Sequence, residues 1–126
     1  MTKSEIKTYI KVLSQTQLIM PIDKLEELMS NYLGERFYNQ DNIKKIPYKT
    51  QNNNKIPVIP LFTDEDEYQQ SVISKIDMVD TISLYPEEIV IILDDFYNEF
   101  EKIIINVGNP NYLQMKKDTF FRLFER

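Results

Sequence analysis

The stretch that decides the reading is "IPLFTDEDEY", residues 59–68, in which an apolar run stops at four consecutive acids, Asp64, Glu65, Asp66 and Glu67. An apolar segment with two prolines just before it (Pro57, Pro60) reads as a strand entering a core, and a Thr-Asp pair followed by acids reads as the start of a helix. Acids in a first turn face the positive end of the helix dipole. Consecutive helical residues point about 100° apart, so the four carboxylates cannot converge on one cation, and at most Asp64 and Glu67 share a side. A cap by Thr63 or Asp64, with Asp66 or Glu67 reaching back as its third-position partner, is therefore favoured over a metal site. A cap residue can still face a partner, so Asp64, Glu65, Asp66 and Glu67 also stand as a candidate acidic recognition surface.

Working outward, "KVLSQTQLIMPI" and "SEIKTYIKVL" place a helix with Ile6, Tyr9, Ile10 and Leu13 on one side, capped by Thr2 or Ser4, ahead of a strand near 16–22. Asp23 and Glu26 have capping-box spacing ahead of the stripe Leu25, Leu28, Met29 and Tyr32, with Gly34 as a left-handed stop. "IKKIPYKTQNNNKIPVIPLFT" reads as a hairpin turning at Gln51–Asn54, its second strand at a sheet edge or interrupted, because prolines cannot donate to a ladder. Residues 76–84 alternate Met78, Ile82 and Leu84 against Val79, Thr81 and Ser83, the period of a half-buried strand.

Pro86, Glu87 and Glu88 then open a helix expected over 86–100, with a stripe of Ile89, Ile92, Leu93, Phe96 and Phe100, widened by Val90 and Ile91. A strand at 103–107, a turn on Gly108, Asn109 and Pro110, a second strand around 112–115 and a helix capped by Asp118 complete the chain. The order is α-β-α-β-β-α-β-α-β-β-α. This predicts one α+β domain over residues 1–126, a mixed sheet of five or six strands with helices packed on it.

Composition narrows the chemistry. The 126 residues hold 20 acids, 15 bases, no histidine, no cysteine and two glycines, for a formal charge of −5. A negative chain repels phosphate backbones, so nucleic acid is not expected as a partner. Without histidine or cysteine there is no imidazole base, Ser-His or Cys-His nucleophile pair, disulfide or ordinary zinc site. Two glycines do not make a Gly-rich phosphate cradle. No catalytic residue, metal or cofactor is expected. The absence of cysteine, the charges spread through "MTKSEIKTYIKV", and apolar runs too short to span a bilayer make a cytoplasmic protein without membrane contact the expectation.

Three further features are weighed against plainer readings. Asp95 and Glu99 have the spacing of a carboxylate pair one turn apart, but a solvated helix face is favoured. Tyr32, Phe37, Tyr38 and Tyr48 lie in the extended segment 23–54; covering a sheet edge is favoured, with Tyr38 and Tyr48 as candidate partner-binding anchors. In "NVGNPN", Asn106, Gly108 and Asn109 form a candidate ligand turn, although a tight hairpin explains the same residues.

At "IPVIPLFTDEDEY", followed about forty residues later by "IIINVG", the chain resembles the N-terminal domain of the bacterial SseB ("enhanced serine sensitivity") family. Pro60, Leu61, Phe62, Thr63 and the acids match one segment; Ile104, Ile105, Asn106 and Gly108 match the other, with Val107 where the family usually has proline. The opening "YIKVLSQTQLIMPI" is similar to the family's first helix and strand. The segment 23–54 is longer than the family pattern, and the larger members' second domain is absent. The resemblance implies an α+β accessory or interaction module, with some relatives immunity-like and partnered with toxins. Together with the acidic charge this gives the expected function: non-enzymatic binding of another protein, one with a basic surface, an immunity or antitoxin-like role being one concrete form. The alternative is a small-ligand sensor or carrier, its site in the crevice between the sheet and helix 86–100, near Asn106 and Gly108.

Overall fold

A computed structural model describes residues 2–33 and 45–125. Gly34, Phe37, Tyr38 and the side chain of Tyr32 lie outside the described residues. The elements are α1 (Lys3–Ser14), β1 (Leu18–Asp23), α2 (Lys24–Leu33), β2 (Thr50–Gln51), β3 (Pro57–Leu61), α3 (Glu65–Gln70), β4 (Val79–Leu84), α4 (Pro86–Asp94), β5 (Lys102–Ile105), β6 (Leu113–Lys116) and α5 (Lys117–Phe124), in the α+β order expected. Short 3-10 turns, not expected from the sequence, sit at Val72–Lys75 and Tyr97–Glu99.

The strands form two sheets where one was expected: an antiparallel pair β1-β4, and a mixed sheet β2-β3-β5-β6 in which β3 and β5 run parallel. Ile19 and Phe62 join the two by exchanging both backbone bonds, at 2.8 and 2.9 Å. A second tie runs through residues 46–48, where Asp23 donates to the Ile46 carbonyl and Tyr48 to that of Pro21.

β3 is interior, between β2 and β5, which corrects the expectation of an edge strand, while the interruption given as its alternative is found in the pairing on one flank. Strand residues alternate their backbone direction. Pro60, two before Phe62, therefore turns its nitrogen toward the same side as the Ile19 bridge. β2 ends opposite Val58 and the bridge begins at Phe62, so the missing N–H falls in a gap between the two pairings. Pro57 lies at the strand's first position, where a proline is tolerated.

Side-chain parity builds the core. Ile59, Leu61, Ile103, Ile105, Leu18 and Met20 face α1, α4 and α5, meeting Leu13, Ile89, Leu93, Phe120 and Phe124. The opposite face carries a smaller cluster of Ile19, Phe62, Tyr68 and Ile73, with Tyr48, Val79 and Val107 against it. Tyr68 meets Phe62 edge-on at 5.3 Å and 71°.

Three helix expectations are corrected. α4 stops at Asp94 instead of running to residue 100, since Asp94, Asp95 and Asn98 are weak helix interiors; Phe100 still reaches the core, from beyond the 3-10 turn. Among the described side chains of α2, Leu25, Leu28 and Met29 are exposed and Glu27 is buried, 4% accessible. Glu27 Oε1 accepts from the Ile46 amide at 3.1 Å and Oε2 from Lys24 at 3.3 Å, so a carboxylate ties α2 to the entry of the hairpin. Asp118 does not cap α5. It lies in the first turn and accepts from the Tyr97 hydroxyl. Met78 takes φ 64° just before β4 and does not join its alternation.

Candidate functional site

Asp64 is extended (φ −156°, ψ 170°) and its Oδ1 accepts from the Glu67 amide at 2.8 Å, the N-cap expected. Glu65 accepts from Gln69 one turn on, at 2.7 Å. Asp64, Glu65 and Asp66 are exposed. Glu67 does not reach back to the cap. Its two oxygens accept from the Asn109 side-chain amide at 2.9 and 3.1 Å.

The acid run and the 106–109 turn, read from the sequence as two separate candidates, are therefore one clasp. Asn106, at φ 63°, accepts through Oδ1 from the Thr63 amide at 3.0 Å and donates through Nδ2 to the Thr63 hydroxyl at 3.0 Å. Asparagine tolerates the left-handed region and carries both a donor and an acceptor. Gly108 follows at φ 90°, a conformation that favours glycine, with open space where a Cβ would stand. The link from β5 to β6 spans seven residues, 106–112, held by Asn109-to-Asn106 and Tyr112-to-Asn109 backbone bonds, so it is wider than the tight hairpin expected. Asn109 is fully committed: its Nδ2 goes to Glu67 and its Oδ1 accepts from the Asn111 amide at 2.7 Å.

The other candidates have structural uses as well. Tyr48 is half-buried against the smaller cluster. Burial raises its pKa above the ordinary tyrosine value, with Asp23 adding to the rise. Asp95 and Glu99 do not share a helix, because α4 ends at Asp94, before both; Glu99 instead meets Lys49 at 2.6 Å. Among the described residues no group of three or more acids has metal-binding geometry. The crevice between the sheet and α4 is filled by Ile89 and Leu93, both fully buried, so the ligand site expected there is displaced. Gly108 and Asn109 border a groove of about 530 Å³ on the opposite face, floored by Val58 and Ile104 and flanked by Val72 and Tyr112.

The feature the sequence reading missed is a trough of about 690 Å³ between α4 and α5. Val90 and Phe121 line it beside Tyr85 and Ile91, and Glu87, Glu88, Asp94 and Glu125 border it. Ile91, expected to widen the buried stripe, is 72% exposed. Among the described lining residues four are carboxylates and none is a cation. One signal was available: Asp94 and Asp95 close α4 where the dipole favours bases, and no base lies in its last turn.

Compared with family models, curated proteins and solved structures, the chain gives no match in any of the three. No described helix is long and apolar enough to cross a membrane.

Proposed function

We propose that this chain is a non-enzymatic, cytoplasmic protein-binding module that recognises a partner with a basic surface, as the resemblance to the SseB N-terminal domain implies. The observation that carries the reading is the trough between α4 and α5, apolar at its centre and anionic at its rim. Interfaces have this anatomy, a desolvated apolar centre inside a polar border. The net charge of −5 gives the whole molecule the sign that steers toward a cationic partner. The exposed Asp64, Glu65 and Asp66 add to that field at the start of α3. An immunity or antitoxin-like role is the concrete form proposed, in which the partner is neutralised by stoichiometric contact.

The test is affinity capture from the native host across a salt series. A stoichiometric partner retained at about 0.05 M salt and released toward about 0.5 M, where screening shortens the reach of charge, is the expected result. Recovery of no partner at any salt concentration contradicts the reading.

The groove bordered by Gly108 and Asn109 supports a second reading, a small-ligand sensor or carrier. Thermal-shift screening with amino acids and nucleotides tests it, and a uniform null removes it.

A further inference from the structure

We infer that the trough between α4 and α5 docks a cationic amphipathic helix of the partner, one that sets an apolar residue on Ile91 and a Lys or Arg side chain one turn on, against Asp94. This deepens the protein-binding reading and rests on it. On α4, Ile91 and Asp94 stand at i and i+3, so an exposed apolar residue and an exposed carboxylate adjoin along the helix. Ile91 is 72% exposed, although α4 is otherwise the most apolar helix of the core. A partner helix with apolar and basic residues at the same spacing matches the pair in both shape and charge.

The floor is already arranged. Phe121 stacks on Tyr97 at 5.2 Å and 28° and meets Phe100 edge-on at 6.4 Å. Lys117 sits 4.2 Å from the centre of the Tyr97 ring, and the Tyr97 hydroxyl donates to Asp118. A rigid floor reduces the ordering cost of binding. Asp94 gives a separate indication: it is exposed in the last turn of α4, where a negative charge opposes the dipole. A residue that breaks a local rule marks a position retained for another use.

The test uses a fluorescent Lys/Leu amphipathic helix of about 18 residues, five turns, with a Glu/Leu helix of the same length as control. Binding is followed by anisotropy and mapped by amide chemical shifts. The expected result is binding of the Lys/Leu helix alone, with shifts concentrated at residues 85–94 and 121–125. Ile91→Asp is expected to weaken binding at least about tenfold, the scale of one buried anchor. Asp94→Asn is expected to weaken it roughly threefold while raising Tm by roughly 1–4 °C, because it removes a charge opposed to the dipole. Asp77→Asn, at an exposed carboxylate ahead of β4, is expected to leave affinity within about twofold, the size of a distant rim charge.

Equal binding of both helices, no binding of the Lys/Leu helix, or shifts centred on residues 64–66 overturns the inference. So does self-association abolished by Ile91→Asp, which would make a second copy the occupant. In any of these cases the protein-binding reading is judged separately, by the salt-dependent capture.

Discussion

Asp64, Glu67, Asn106 and Asn109 spend their polar groups on one another's segments, and each can be tested singly. Asp64→Ala removes the bond to the Glu67 amide and is expected to lower stability by about 1 kcal/mol, the usual cost of an N-cap. Asn106→Gly is the sharper probe, because glycine accepts φ 63° but cannot bond Thr63. A loss of about 1–3 kcal/mol in denaturant unfolding is expected from the stranded Thr63 groups. Wild-type stability in Asn106→Gly would show that asparagine serves only the backbone angle. The acids' role as a helix start was legible in the spacing of Asp64 and Glu67. The clasp was not, since Asn109 lies 42 positions from Glu67 and no local pattern specifies that approach.

Among the elements, α1, β1, β3 and β4 were readable because each carries its own period and its own stop. α2 shows where period misleads: Leu25, Leu28 and Met29 make a regular stripe, yet among the described side chains of the helix it is Glu27 that is buried. A buried carboxylate bonded to a backbone amide depends on the arrival of residue 46, which the helix sequence does not encode. Glu27→Ala is expected to destabilise by about 1–3 kcal/mol by stranding the Ile46 amide, and Glu27→Gln, which keeps an acceptor, by less. Equal losses in the two variants would remove that bond as the cause. β3 shows a second limit. Its prolines signal an edge, but the ladder on one flank is discontinuous, and proline fits the break. In α4 the repeated Ile-Val-Ile-Ile hid the trough, because an exposed isoleucine and a buried one are written alike.

At the scale of the molecule, burial raises the pKa values of Tyr9, Tyr48 and Tyr68. Nearby carboxylates add to the effect: Glu67 at Tyr9, Asp23 at Tyr48, and Glu65 with Asp80 at Tyr68. The folded state therefore holds these protons more tightly than the unfolded chain, whose tyrosines titrate near the ordinary value of about 10. The resulting stability is fully present below about pH 10 and is lost as pH rises through the folded values. Urea midpoints are expected to decline above about pH 10, and Tyr68→Phe to shallow that decline; a rise in stability there would contradict the assignment. Beside the clasp and Tyr48, which have evident structural work, the α4–α5 trough and the groove at Gly108 are the open surfaces described, and the trough is the one with the anionic rim. Its measure is site-specific photocrosslinking in the native host, with the photoreactive side chain placed at position 91 or, as control, at position 53. The account predicts one discrete crosslinked partner from position 91 and none from position 53. No crosslink at position 91, or the same band from both positions, would contradict it.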